Sequence, residues 1–145
     1  ALSGSEPDAD LTAMALQALA KYRENPDVSA AVERGIAALS SMQEPNGAYL
    51  SWGEENSEPV SQVITALTEL GLSPEDSRFV KNGQTLASVL ERFSCEDGGY
   101  RHTLTGEADE MATEQATEQA LYALAAIHRA ETGLTTLYDM TDVMQ

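Results

Sequence analysis

Cysteine occurs once in this chain, at Cys95, which excludes an internal disulfide and leaves no second thiol or Cys/His pair spaced for a structural zinc site. Basic residues are scarce: 8 Lys and Arg stand against 24 Asp and Glu, a formal charge of −16, so a nucleic-acid backbone or an anionic membrane would repel the chain. The acids are scattered rather than clustered, the pattern of a solvated surface. No apolar run is long enough to cross a bilayer, and Ala1-Leu2-Ser3-Gly4-Ser5 reads as a domain start rather than a signal peptide. There is no Ser/His/Asp triad spacing, no Gly-rich phosphate loop and no basic aromatic patch. What remains is 145 residues with 42% hydrophobic content, enough for one compact domain spanning 1–145.

That content is arranged with helical periodicity. A first helix, capped by Asp8 or Asp10 and running to about Glu24, has Leu11, Met14, Ala15, Ala18, Leu19 and Tyr22 as its stripe, with Ala13, Leu16 and Ala20 apolar as well. A helix so greasy all round is expected to be buried on most sides. Asn25-Pro26-Asp27 breaks it, with Asp27 suited to cap a second helix at about Val28–Met42. This one carries Val32, Gly35, Ile36, Leu39 and Met42 on one face and Ser29, Glu33, Arg34 and Ser40 on the other, the pattern of an outer helix. After a loop at 48–57, a third helix begins near Glu58-Pro59 and buries Val60, Val63, Ile64, Leu67 and Leu70, with Gly71 to end it. A fourth is expected at about Arg78–Phe93, burying Phe79, Leu86, Ala87, Leu90 and Phe93. A fifth, at about Glu110–Thr132, is rich in Ala on several sides and carries Ala116, Ala120, Leu121, Ala123, Leu124 and Ile127.

The elements repeat. Leu39 and Leu90 are separated by 51 residues, and so are Tyr49 and Tyr100, each Tyr closing a Gly-x-Tyr turn. Matching Ala15-Leu16 to Ala66-Leu67 and Ala120-Leu121 makes the first, third and fifth helices equivalent inner helices, with the second and fourth outside them. The repeats run at about 8–57, 58–109 and 110–145: two helical hairpins and an unpaired inner helix.

The stretch Arg34-Gly35-Ile36-Ala37-Ala38-Leu39 through Gln43 to Gly47-Ala48-Tyr49 resembles the QW motif of squalene and hopene cyclases: a basic residue, Gly, an aromatic place held here by Ala38, Leu, three residues, Gln, a spacer, and Gly-x-aromatic with Tyr49 where the motif has Trp. The second copy has Ser94 in the Gln place. The chain from about Asp8 to Val143 therefore looks like the αα-toroid superfamily of terpenoid cyclases and protein prenyltransferases, and more narrowly like toroid-type domains of large Gram-positive surface proteins. The resemblance implies an all-α partial α/α toroid of about five helices and two and a half repeats. It also implies an extracellular, cell-surface setting within a longer chain.

In such an arc the two long loops and the N-terminal segment share one rim. Tyr49, Trp52, Glu58, Ser61, Gln62, Tyr100, His102, Thr113, Glu114 and Gln115 are the candidate ligand-binding residues there. Free N–H groups at three inner-helix starts are expected to make the rim locally positive, suited to an anion or a polar ligand. The competing reading packs the Tyr and Trp residues between repeats and leaves Gln43 to cap a helix.

Catalytic carry-over fails by residue. The cyclases protonate with Asp-x-Asp-Asp, whereas Asp8-Ala9-Asp10-Leu11 has two of the three aspartates. Prenyltransferases hold zinc with Asp, Cys and His from two helices, whereas Cys95, Asp97 and His102 share one loop. A thioester needs Gln three residues from Cys, and Gly98 stands there. His128 sits where a cation favours a helix C-terminus. The expected function is a non-catalytic binding, adhesion or scaffold module of a cell-surface protein, with no catalytic residues, cofactor or metal. The alternatives are a fragment of a terpenoid cyclase or prenyltransferase-type enzyme and a cobalamin-binding module. Its expected partner is an unidentified protein or small molecule, and the open end of the arc is expected to pair with a second copy.

Overall fold

The computed structural model describes residues 7–96, 98–105 and 111–143. Among these residues, five α-helices and one short hairpin run in the order α1 (Ala9–Leu19), α2 (Pro26–Met42), β1 (Leu50–Ser51), β2 (Glu54–Glu55), α3 (Ser57–Glu69), α4 (Leu86–Glu91) and α5 (Glu114–Glu131). The fold is all-α. α3 packs against α1 on one side and α5 on the other, α2 lies behind α1, and α4 lies behind α3. The core fills the space between the inner row α1, α3, α5 and the outer pair, around Leu16, Val32, Ile36, Leu39, Ile64, Leu67, Phe79, Leu86, Leu90 and Phe93.

Local chemistry explains most boundaries. Asp8 caps α1, its Oδ1 accepting from the Leu11 N–H at 2.9 Å. α2 starts earlier than expected: Asn25 is the cap, Pro26 takes the first position, where it has no intrahelical N–H to lose, and Asp27 is already inside the first turn. The two helices meet closely because residue 35 is glycine; a Cβ there would lie 2.8 Å from Leu16 Cδ2. Gln43 ends α2 with an extended backbone, and its Nε2 donates to Gly47 O at 3.0 Å and Phe79 O at 3.2 Å. The Gln of the motif thus ties the end of one outer helix to the approach of the other.

The turns after the outer helices repeat hydrogen bond for hydrogen bond. Glu44 N–H donates to Ala48 O and Gly47 N–H to Glu44 O; 51 residues on, Cys95 N–H donates to Gly99 O and Gly98 N–H to Cys95 O. Tyr49 O then accepts from Asn56, the cap of α3, and Tyr100 O accepts from Thr113, the cap of α5. Both loops therefore lead into inner-helix N-termini at one rim, and an isolated bridge between Asn56 and Thr103 joins them.

Three expectations need correction. α1 is not sheathed: Ala9, Ala13 and Leu16 are its buried residues, while Leu11, Met14 and Tyr22 of the expected stripe are 59%, 52% and 54% exposed. α5 behaves alike, burying Ala116, Ala120, Ala123 and Ala126 and exposing Leu121 and Leu124. Both are end helices whose described inner neighbour is α3 alone, and their alanine faces pack against it. Among the described helices only α3 is enclosed, and its Ser61, Thr65 and Thr68 hydroxyls donate to carbonyls one turn back at 3.0–3.1 Å, so these three are buried with partners.

The expected fourth helix is broken. Asp76 caps a single turn at Ser77–Phe79, Asn82 and Gly83 adopt φ of 49° and 80° in a tight reversal bridged by Lys81 and Gln84, and α4 begins only after its cap Thr85. Asn-Gly is the sequence for which two consecutive left-handed residues cost least. The loop at 48–57 contains the two-residue hairpin β1–β2, with Trp52 and Gly53 at φ of 54° and 88°. The expected start of the last helix at Glu110 lies outside the described residues. Described α5 starts at Glu114, where the Thr113 hydroxyl accepts from Ala116 N–H at 3.2 Å.

Candidate binding cleft at the inner-helix rim

Counting from the caps Asp8, Asn56 and Thr113, the second residue of each inner helix is Asp10, Glu58 and Gln115, and the sixth is Met14, Gln62 and Gln119. All six line one cleft of about 470 Å³ at the rim, together with Ser51, Trp52 and Glu54 of the hairpin, Asn56, Pro59 and His102. Equivalent turns of three helices thus build the site. The Ala-Leu matching suggested by sequence alone brings α3 in almost one turn out of step, which hides this equivalence.

Charge in the cleft is opposite to expectation. Each inner helix carries a carboxylate in its first turn, Asp10, Glu58 and Glu114, and these answer the helix dipoles that were expected to leave the rim positive. Burial, and then the charges of Asp8 and Glu58, push the Asp10 carboxyl from 3.8 up to about 6, against the opposing pull of its own backbone N–H and His102. The cleft disfavours an anion.

Glu58 is 6% exposed, and His102 Nδ1 stands 2.8 Å and 2.9 Å from its two oxygens. That geometry places the proton on Nδ1. Nε2 lies 2.9 Å from Asn56 Nδ2, and the buried Asn56 Oδ1 has no hydrogen-bond partner. Asn56 does not cap α3 with its side chain, and Pro59, third in the helix, has no N–H for such a cap to meet.

The expected rim residues separate into two groups. Trp52, Glu58, Gln62, His102 and Gln115 come together at the cleft, Trp52 with its side chain fully exposed at the lip. Tyr49 belongs to the core instead: it is 1% exposed and its hydroxyl donates to Leu39 O at 3.1 Å. Ser61 is likewise inside α3, donating to Ser57 O. Tyr100 is partly buried against the core, Thr113 is spent as a cap and Glu114 faces solvent, none of them lining the cleft.

A second hollow continues from the first. Met14, Gln62 and Gln119 line both, and the larger, about 1080 Å³, runs between α1 and α5 over α3 to the segment 136–139. Its floor is a row of amides: Gln17 Nε2 donates to Gln62 O at 3.0 Å and to Gln62 Oε1 at 2.9 Å, and Gln62 Nε2 donates to Gln119 Oε1 at 2.9 Å. Arg129 anchors the segment that closes the far end, donating to Thr135 O at 2.7 Å and pairing with Asp142. Tyr138 in that segment spans the gap, its N–H donating to Glu69 and its hydroxyl to Gln17.

Of the residues weighed for catalysis or metal, Asp8 is occupied as a cap, Leu11 is exposed and Asp97 lies outside the described residues. His102 is held by Glu58 and Asn56, and Cys95 is partly buried beside its turn. Among the described residues no group of three or more His, Cys, Asp or Glu is disposed to hold a metal ion, and no helix is long and apolar enough to cross a membrane.

A row of inner helices backed by outer ones, with its ligand-sized hollow on the inner side, defines an arc of α-hairpins. The profile of the squalene-hopene cyclase C-terminal domain matches residues 4–136, and the chain belongs to that family. No curated protein and no solved structure matches it.

Proposed function

We propose that this chain is a non-catalytic binding module that receives a polar ligand on the inner side of its arc. The observation that carries the reading is the amide row Gln17–Gln62–Gln119, bonded across three helices where a polyene substrate would need an apolar wall. Trp52 is the one Trp of the chain, it stands fully exposed at the lip, and among the described residues no other aromatic lines the cleft. The setting in an extracellular bacterial surface protein rests on the likeness of the chain, from about Asp8 to Val143, to toroid-type surface domains, and the strongly acidic composition suits a solvated exterior. Pairing with a second copy rests on Leu121 and Leu124, exposed at the α5 end of the arc.

The test is a fragment screen followed by two-dimensional amide NMR, run beside incubation with squalene and prenyl diphosphates. The reading requires shifts concentrated at Asp10, Met14, Gln62 and Gln119 and no cyclised or prenylated product. Shifts scattered over the outer helices, or any such product, would overturn it.

A cyclase-type reading draws on one observation of its own, the Asp10 carboxyl raised to about 6, part of which is protonated near neutral pH. It requires that squalene be converted and that Asp10→Asn abolish the conversion.

A further inference from the structure

We infer that the tyrosine-flanked half of the trough binds a neutral oligosaccharide. This deepens the binding-module reading and rests on it. The chain has five tyrosines, and the three that are exposed, Tyr22, Tyr122 and Tyr138, at 54%, 49% and 64%, all line this one hollow. They come from three different segments: the turn after α1, the middle of α5 and the stretch beyond it. Exposed rings brought together by separate elements expend apolar surface that a merely solvated face would not carry.

The chemistry selects among ligands. An aromatic face offers a flat, weakly negative surface to the C–H groups of a pyranose ring, while amides can donate to and accept from its hydroxyls and carboxylates can accept from them. Glu69, Glu118 and Asp139 outnumber Lys21 at the same hollow, which disfavours phosphate, sulfate and uronic acid groups, and Lys21 Nζ stands over the Tyr22 ring, 5.2 Å from its centroid. The amide floor disfavours a lipid tail, since an apolar chain would strip water from Gln17, Gln62 and Gln119 without replacing its hydrogen bonds. Burial, then the charge of Glu69, hold the Tyr138 phenol above its ordinary value, so it remains a neutral donor. A hollow of about 1080 Å³ fits a chain of sugar rings better than a single one.

Saturation-transfer NMR on the 145-residue chain, with neutral tetrasaccharides of glucose, galactose, mannose or N-acetylglucosamine as probes, tests the inference. At least one should receive saturation through ring C–H protons. Tyr122→Ala and Tyr22→Ala should each weaken binding at least tenfold, and Tyr138→Phe, which keeps the ring but loses the hydroxyl bond to Gln17, should weaken it less than Tyr138→Ala. A sulfated version of the same sugar should bind at least fivefold more weakly, with the gap narrowing in salt. Saturation of no neutral sugar, binding indifferent to all three Ala variants, or preference for a proline-rich decapeptide each overturns the sugar assignment. If the fragment screen still marks Gln62 and Gln119, the binding-module reading survives that loss; if nothing marks them, both fall.

Discussion

Replacing Asp10 by Asn should stabilise this protein at neutral pH and leave it unchanged in acid. Burial in the rim cleft, then the charge of Asp8 two residues before it and that of Glu58, raise the carboxyl from 3.8 to about 6. A raised carboxylate disfavours the folded state once ionised. The native state holds its proton after the unfolded chain has released its own, so stability falls between about pH 4 and pH 6 and is level above that window. The whole displacement corresponds to about 3 kcal/mol. Asp10 is partly solvated, and screening reduces the expected contribution to about 1–2 kcal/mol. Asn keeps the size and loses the charge, so urea unfolding of Asp10→Asn should show a gain of about 1–2 kcal/mol over the parent at pH 7.5 and near zero at pH 4. In melting temperature that is about 3–7 °C. A difference between variant and parent that does not change with pH would refute the reasoning.

Further outcomes follow from the same geometry. Glu58→Gln removes one of the charges acting on Asp10, so the gain from Asp10→Asn should shrink in that background, and a double-mutant cycle at pH 7.5 should give a coupling of about 0.5–1 kcal/mol. Gly47 has φ of 82° and a Cβ there would lie 2.9 Å from Val89 Cγ2, whereas Gly53 has φ of 88° with nothing within 4 Å. Gly47→Ala should therefore cost about 2–4 kcal/mol and Gly53→Ala about 1 kcal/mol by chemical denaturation; equal costs would remove the packing argument. Gln62→Leu leaves Gln17 and Gln119 with lost partners and should cost about 1–2 kcal/mol, a gain in stability counting against the amide row. Light scattering at high concentration should detect a dimer that Leu121→Glu abolishes, and a parent that stays monomeric would end the self-pairing proposal.

The glutamine of the motif and the Gly-x-Tyr turns were legible because their chemistry is local. Gln43 bonds four residues ahead to Gly47 O, and the backbone loop at Glu44 recurs unchanged at Cys95. Asn82-Gly83 was equally local, yet apolar spacing from Arg78 to Phe93 masked it: Phe79, Leu86, Leu90 and Phe93 are all buried although no continuous helix joins them. Burial in the core does not require the helix that such spacing suggests. Asp10, by contrast, was weighed as a helix cap and as part of a motif, and its place beside Glu58 and His102 depends on how two helices and a loop meet. Aligning the inner helices by their caps would have exposed it.

The order of helices, the Asp8 cap of α1, the 51-residue repeat and the division into inner and outer rows are contained in the sequence, because hydrogen-bonded ends and apolar periodicity act within a turn or two of chain. Which face of α1 and α5 is covered, the acidic sign of the rim, and the meeting of Tyr22, Tyr122 and Tyr138 were decided by tertiary structure. An alanine-rich helix offers several faces of nearly equal hydropathy, and only the position of α3, the one inner helix flanked on both sides, selects between them.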